Sequence, residues 1–139
     1  MVKKVLFLCT GNSCRSQIAE AVVNTLHGGQ WQAFSAGTDP VGYTHPMAIE
    51  VLAEMGIQHQ GLSKHVDTFK NIELDLVITV CDSAASTCPT WLGNENQRHI
   101  GFNDPAQITG SEQEILTGFR QVRDLITAEI PPILGIRDS

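Results

Sequence analysis

The segment CTGNSCR, from Cys9 to Arg15, joins a thiol, a run of small residues and a guanidinium. Gly11 allows the backbone to curl tightly, so that its N–H groups and the unpaired first-turn donors of a following helix can point at one anion. The planar guanidinium of Arg15 suits the oxygens of a tetrahedral oxyanion, because it donates in bidentate geometry and lysine does not. The segment therefore predicts an oxyanion-binding loop, formed by Thr10, Gly11, Asn12, Ser13, Cys14 and Arg15.

Cys9 opens this loop, where its sulfur would share the positive field that binds the anion. Such a field lowers the pKa of a cysteine from about 8.5 to between roughly 3.5 and 7.5, which makes the thiolate a nucleophile at neutral pH. We expect Ser16 to donate a hydrogen bond to that sulfur and the Asn12 side chain to brace the loop. The alternative is a buried thiol beside a solvated arginine. The C-x5-R-S spacing between an apolar strand and an amphipathic helix favours the catalytic interpretation.

Asp104 is a candidate general acid, because an oxygen leaving group departs more readily when a carboxylic acid protonates it. Pro105 restricts the backbone of Asp104 to an extended or turn conformation, which suits a fixed position at the end of a strand. The alternative is that NDPA is only a turn before the last helix, where aspartate is common. The presence of the loop at Cys9 favours the catalytic role.

The elements that would position these residues alternate between strands and helices. Apolar runs predict strands in KVLFLC, WQAFSAG, LDLVITVC and RHIGF, and three- and four-residue spacing predicts helices between them. Residues 111–130 predict a long final helix that begins with a capping box of Ser111 and Glu114 and is stopped by Pro131 and Pro132. The pattern predicts one α/β domain over residues 1–139, with a four-stranded parallel sheet flanked by helices on both faces. The carboxyl ends of its strands would bring together Cys9, Cys81 and the FNDP segment.

The composition restricts the possible partners. The formal net charge is −6 and no basic block offsets it, which argues against nucleic acid or an anionic membrane as a partner. The first apolar run is too short for a signal peptide, and no stretch is long enough to span a membrane. We expect a cytoplasmic monomer, in which the four cysteines are catalytic or metal-binding rather than a disulfide framework.

VLFLCTGNSCRSQIAEA resembles the signature of the low-molecular-weight tyrosine phosphatase family, and CTGNSCRSQ is especially similar to the arsenate reductases of that fold. The resemblance extends over SAGT, HPMAIEVLAEMGI, VITVCDSAASTCP and GFNDPA, and so over nearly the whole chain. It implies that Cys9 is the nucleophile, Arg15 the oxyanion clamp and Asp104 the general acid.

Within this resemblance, Cys81 and Cys88 distinguish an arsenate reductase from a phosphatase. Inert core thiols are one alternative. Zinc ligands and a structural disulfide fit poorly, since zinc sites use shorter spacings with a second pair and cytoplasmic disulfides are rare. The resemblance implies a relay in which Cys81 attacks an adduct on Cys9 and Cys88 then attacks the resulting disulfide. Cys14 is expected to be a packing residue outside this relay. The relay needs no bound cofactor, but it needs an external reductant, either thioredoxin or glutaredoxin with glutathione.

The resulting hypothesis is an arsenate reductase for arsenic detoxification, with phosphate and sulfate as competing anions and residual phosphatase activity. The alternatives are a tyrosine phosphatase, which Ala106 and Gln107 in place of aromatic residues after Asp104-Pro105 disfavour, and an oxyanion-responsive redox switch. Some related reductases hold a monovalent cation at positions similar to Asn12, Glu20 and Ser35. Lys64 stands where they have an acidic residue, so we predict no metal site. The alternative for Glu20, if it is not a cation ligand, is a solvated position on a helix face.

Overall fold

The computed structural model describes residues 2–59, 61–80 and 97–136, and its centre is a sheet of parallel strands. The strands are β1 (Lys3–Cys9), β2 (Trp31–Gly37), β3 (Leu76–Thr79) and β4 (Gln97–His99), in the order β2-β1-β3-β4. The predicted four-stranded parallel sheet is confirmed. The third strand is shorter than its apolar run, and the fourth begins one residue early and ends three residues early.

β1 lies between β2 and β3 and is buried from Val5 to Cys9, as expected of a strand covered on both faces. Its register pairs Cys9 with Gly37 on one side and Leu8 with Thr79 on the other. Three strands therefore end at the same level. The loop that follows β1 opens at this edge.

Helices with apolar faces pack beside the sheet and on one another. They are α1 (Arg15–Leu26), α2 (Pro46–Ala53) and α3 (Glu112–Ile133). α1 packs on β1 and β2 and also against α3, and it buries Ile18, Ala19, Val22 and Val23 as its spacing predicted. α2 packs on α3. α1 begins directly at the end of the anion loop, so the packing of α1 on β1 and β2 fixes the position of Arg15.

The last helix shows one prediction confirmed and one wrong. Ser111 accepts a hydrogen bond from the N–H of Glu114, whose side chain returns to the N–H of Ser111, so the capping box is present. Pro131 and Pro132 were expected to stop the helix, but both lie inside its last turn. The N–H of Leu134 bonds the carbonyl of Ile130, and the turn ends at Gly135, whose φ of 75° suits glycine. Each proline removes one N–H donor and crowds the carbonyl four residues earlier, and this final turn, in which Ile130 and Pro131 are buried, accommodates both.

The residues that the structure describes form no helix with the length and apolar character needed to cross a membrane.

Candidate active site

The loop between β1 and α1 is held in place by hydrogen bonds that its carbonyl groups accept. Every carbonyl from Cys9 to Cys14 accepts a hydrogen bond, either from residues 38–45 or from α1. The donors are Thr38 N for Cys9 (3.3 Å), Asp39 N for Thr10 (2.9 Å), Val41 N for Gly11 (3.1 Å), Gln17 Nε2 for Asn12 (3.1 Å), His45 N for Ser13 (2.9 Å) and Ile18 N for Cys14 (2.9 Å). A trans peptide unit points its carbonyl and the next N–H in opposite directions. Each N–H of residues 10–15 therefore points away from the bonded carbonyl of the residue before it.

Two local features allow the loop this shape. Asn12 has a φ of 49°, in the left-handed region that asparagine tolerates better than most residues. Gly37 lies beside the loop, and a Cβ at this position would collide with the carbonyl of Thr10 and meet the N and Cβ of Asn12 at 3.1 Å. The absence of a side chain at residue 37 therefore permits the close approach of β2 to the loop.

The two cysteines of the loop have different surroundings. Cys9 ends β1, immediately before the loop, and is 3% exposed. Cys14 is equally buried and immediately precedes α1, and burial raises the pKa of its thiol to about 11. Cys14 is therefore an uncharged packing thiol at neutral pH, as the sequence analysis expected.

Arg15, the first residue of α1, reaches across the mouth of the loop to the segment after β4. Its Nη1 donates to the carbonyl of Phe102 at 3.1 Å, and its Nη2 lies 3.5 Å from Asp104 Oδ2. Its Nε is buried, and no described residue gives this atom a hydrogen-bond partner. The guanidinium is thus positioned by two groups of the neighbouring segment and still has a donor to offer.

Asp104 lies opposite Arg15 and is held by a local turn. Its Oδ1 accepts the N–H of Ala106 at 3.0 Å, and Pro105 begins the single 3₁₀ turn that follows. The N–H of Phe102 donates to the carbonyl of Val80 at 3.1 Å, so the segment stays attached to the end of β3. A cavity of about 450 Å³ opens here, lined by Arg15, His99, Gly101, Phe102, Asn103 and Asp104.

The structure also reveals a buried polar cluster beneath the loop that the sequence analysis largely missed. The Asn12 side chain donates to Ser16 Oγ (2.8 Å) and accepts the N–H of Lys64 (2.9 Å), and Gln17 and His59 extend the cluster. Gln17 and Ser16 are fully buried. Gln17 and His59 lie 42 residues apart in segments of ordinary polar composition, so no local sequence pattern could predict their contact.

Glu20 belongs to this cluster rather than to a solvated face. Its side chain is 13% exposed, its Oε1 accepts from Ser35 Oγ at 3.0 Å, and Lys64 Nζ lies 3.7 Å from it. Burial raises the pKa of the Glu20 carboxyl, against the lowering effects of Lys64 and Ser35. The ammonium of Lys64 thus serves as the positive partner of this carboxylate. Within the described ranges, no group of three or more His, Cys, Asp or Glu side chains could hold a metal ion.

The structure places Arg15 beside Asp104 and Ser16 beside Asn12, and Cys9 and Arg15 lie at the two ends of the loop. Cys81 and Cys88, the other two members of the predicted relay, lie outside the described residues. Val80, which precedes Cys81, donates its N–H to the carbonyl of Leu8 at 2.9 Å, beside the start of the loop.

Comparison with known proteins adds three findings. The family model for low molecular weight phosphotyrosine protein phosphatase matches residues 4–135. An arsenate reductase of Halalkalibacterium halodurans is 42% identical over 132 residues, which are 94% of each chain, and one of Bacillus subtilis is 39% identical over 127 residues, 89% of each chain. A solved structure described as an arsenate reductase in the phosphate binding state superimposes with a TM-score of 0.76 at 30% identity, covering 96% of this chain and 98% of that one.

Proposed function

This chain belongs to the low molecular weight phosphotyrosine protein phosphatase family, and we propose that it is an arsenate reductase, which converts arsenate to arsenite in arsenic detoxification. The observation that carries this proposal is the loop after Cys9, in which six consecutive carbonyls each accept a hydrogen bond, which leaves the N–H groups of residues 10–15 to bind an anion. Similarity to curated arsenate reductases over most of the chain favours arsenate over a phosphoryl group as the principal substrate.

Arsenate binds as a tetrahedral oxyanion in the loop formed by residues 10–15. Its oxygens accept the converging N–H groups, and Arg15 donates to them with the guanidinium that now faces Asp104. The related structure in a phosphate binding state supports this anion site. Phosphate and sulfate, which have the same shape and comparable charge, compete for it.

In the first step, the Cys9 thiolate forms a bond to arsenic while one arsenic–oxygen bond breaks. The departing hydroxyl takes a proton from Asp104 and leaves as water, and arsenic remains in its pentavalent state. Asp104 is suited to this role because its carboxyl group faces the same cavity as Arg15 and is held by the N–H of Ala106. Ser16 hydrogen-bonds the sulfur of Cys9 and favours its thiolate form.

In the second step, the Cys81 thiolate attacks the sulfur of Cys9. The electron pair of the sulfur–arsenic bond stays on arsenic, which becomes trivalent and leaves as arsenite, and a Cys9–Cys81 disulfide remains. Cys88 then attacks Cys81, which releases the Cys9 thiolate and forms a Cys81–Cys88 disulfide. The proximity of Val80 to the start of the loop supports the attack of Cys81 on Cys9.

A thiol reductant outside the chain restores the Cys81–Cys88 dithiol and supplies the two electrons of each turnover. Thioredoxin, or glutaredoxin with glutathione, provides this chemistry in the reducing cytoplasm, where we place the protein as a monomer. No cofactor remains bound to the enzyme between turnovers.

Reconstitution tests the function directly. The purified full-length chain is combined with thioredoxin, thioredoxin reductase and NADPH, or with glutaredoxin, glutathione and its reductase, and NADPH oxidation is followed after arsenate is added. We expect arsenate-dependent oxidation with one of the two donors and none in Cys9→Ser. A wild-type chain that oxidises no NADPH with either donor, and releases no arsenite, would contradict the proposal.

A second, weaker activity is the hydrolysis of aryl phosphates, since the same loop, thiolate and acid suffice for phosphoryl transfer to Cys9. The observation that limits it is the turn after Asp104, where Ala106 and Gln107 are exposed and offer no aromatic wall to a phosphotyrosine ring.

A further inference from the structure

The buried cluster beneath the loop contains an uninterrupted line of hydrogen bonds that the reaction steps do not use. His59 Nε2 lies 2.7 Å from Gln17 Oε1, Gln17 Nε2 lies 3.2 Å from Asn12 Oδ1, and Asn12 Nδ2 lies 2.8 Å from Ser16 Oγ. Ser16 is the residue assigned to the sulfur of Cys9. The line therefore runs from His59, on the segment after α2, to the base of the anion loop.

The direction of the bond between Asn12 and Ser16 is fixed by a backbone group. The N–H of Lys64, which can only donate, lies 2.9 Å from one side-chain atom of Asn12, so that atom is the oxygen Oδ1. The other side-chain atom, Nδ2, must then donate to Ser16 Oγ. Ser16 accepts this bond, and its single hydroxyl proton remains for an acceptor on the other side.

The bond between Gln17 and His59 is fixed in the same way. Gln17 Nε2 faces three oxygens, the carbonyls of Asn12 (3.1 Å) and Leu62 (3.0 Å) and Asn12 Oδ1, all of which accept. The other side-chain atom of Gln17 is therefore the oxygen, which faces His59. His59 must carry its proton on Nε2 and donate it to Gln17.

We propose that His59 is a positioning residue for the nucleophile, which acts through Gln17, Asn12 and Ser16 to orient the hydroxyl of Ser16 toward the Cys9 thiolate. This rests on the proposed function in one respect, that Cys9 reacts as a thiolate. All the donors in the line point the same way, and bonds so aligned polarise one another, which strengthens the last bond to the charged sulfur.

The charges around His59 keep this donor in place. Glu20 Oε2 lies 3.8 Å from His59 Nε2, Lys64 Nζ lies 3.7 Å from Glu20 Oε1, and Ser35 donates to the same carboxylate oxygen. Burial, with a smaller effect of Lys64, lowers the pKa of His59, so the imidazole is neutral at neutral pH. A neutral imidazole has a single N–H, and Gln17 requires it on Nε2.

Gly61 provides the space in which His59 and Gln17 meet. A Cβ at this position would collide with both Gln17 Oε1 and His59 Nε2. Gly61→Ala therefore separates the two side chains without removing a donor or an acceptor. It is a second way to break the line, independent of any change at His59.

The experiment measures the pH dependence of Cys9 alkylation by iodoacetamide in the reduced full-length protein, with the modified peptide quantified by mass spectrometry. We expect the midpoint to move upward by about 0.5 to 1 pH unit in His59→Phe and in Gly61→Ala, as when one favourable hydrogen bond to a charged form weakens. His59→Gln, whose amide N–H can donate from nearly the same place, should restore most of the shift. The matched control is His27→Phe, at the far end of α1, with an unchanged midpoint.

The outcomes separate this inference from the proposed function. A wild-type midpoint near the ordinary thiol value of about 8.5 contradicts the thiolate nucleophile itself. A low wild-type midpoint that stays the same in both His59→Phe and Gly61→Ala overturns the role of His59 alone. An equal shift in His59→Phe and His59→Gln also overturns it, since loss of the ring rather than the donor would then be responsible. Thermal unfolding of each variant identifies any that fail to fold, and the remaining variants decide.

Discussion

The guanidinium of Arg15 and the carboxylate of Asp104 face each other at 3.5 Å across the mouth of the anion loop. The proposed clamp and the proposed acid are thus paired with each other. An incoming oxyanion competes with Asp104 for Arg15 and is repelled by the carboxylate. We expect the pair to oppose anion binding, and Asp104 to serve the proposed acid step only in its protonated form.

Replacing Asp104 by asparagine should separate these two effects. We expect phosphate to bind about two- to fivefold more tightly to Asp104→Asn, since a partly exposed ion pair and its repulsion are worth about 0.5 to 1 kcal/mol. Arsenate turnover should fall by about 10²- to 10⁴-fold, because asparagine cannot protonate the leaving oxygen. Calorimetric titration with phosphate and steady-state kinetics measure the two. Weaker phosphate binding together with unchanged turnover would contradict both roles of Asp104.

The planar guanidinium of Arg15 should be needed for arsenate turnover even when a positive charge is kept at this position. In Arg15→Lys we expect kcat/KM for arsenate to fall by about 10²- to 10³-fold, the usual effect of removing an aimed donor from an anion site. Arg15 also bonds the carbonyl of Phe102, so the melting temperature is measured alongside the kinetics. Arg98→Lys, at an exposed position of β4, is the matched control and should behave as wild type. If Arg15→Lys kept most of its kcat/KM, Arg15 would not be the clamp.

Aryl phosphatase activity should depend on the first cysteine only. Phosphoryl transfer to Cys9 and its hydrolysis require no electron transfer, so we expect p-nitrophenyl phosphate hydrolysis to persist in Cys81→Ser and to vanish in Cys9→Ser. Release of p-nitrophenol measures it. Loss of hydrolysis in a well-folded Cys81→Ser variant would mean that Cys81 takes part in the shared first step.

The third cysteine should be needed only after arsenite has formed. We expect Cys88→Ser to release about one arsenite per enzyme and then to stop as a Cys9–Cys81 disulfide, because the first two thiols complete the electron transfer. Arsenite is quantified in a single turnover and the disulfide is located by mass mapping. Continued turnover with thioredoxin, or a stopped enzyme without that disulfide, would refute the proposed order of the relay.

Cys14 should make the fold less stable in alkaline solution. Burial raises the pKa of its thiol from 9.0 to about 11, so between these values the unfolded chain has lost a proton that the folded chain retains. The free energy of unfolding therefore falls as pH rises from 9 to 11, by about 1 kcal/mol per pH unit. Urea unfolding of wild type and Cys14→Ala across pH 8 to 11 isolates this slope, because the other titrating groups are common to both. Parallel curves for the two proteins would show that the Cys14 thiol titrates as an ordinary one.

The sequence predicted those parts of the molecule whose signals are local. The strands β1 and β2, the anion loop, the start of α1 and the capping box at Ser111 each show their residue types within a short window. Parallel strands then bring Asp104 near Arg15 by topology alone. The end of α3 was predicted wrongly, since a local rule for proline does not include the packing that keeps Pro131 and Pro132 helical.

The cluster beneath the loop could not be predicted in this way. Gln17 lies in α1, whereas His59 and Lys64 lie in the connection after α2, and polar residues are usually solvated. Only the tertiary structure shows that Gln17 is fully buried and that its amide is satisfied by groups on both sides. The sequence shows Lys64 only as a departure from relatives that bind a cation. The hydrogen bond from its N–H to Asn12 is seen only in the folded structure.

The outward bonding of the loop carbonyls bears on selectivity between ions. Because residues 38–45 hold most of these carbonyls, we expect the width of the loop to be set by the surrounding scaffold and not by the ion bound in it. Arsenate and phosphate, alike in shape and charge, should then enter the loop with similar ease. Discrimination falls to the later step, since only arsenic takes an electron pair from the thiols and departs in a lower oxidation state. In a mixture of the two ions, the rate of arsenite production would follow their ratio rather than the arsenate concentration alone.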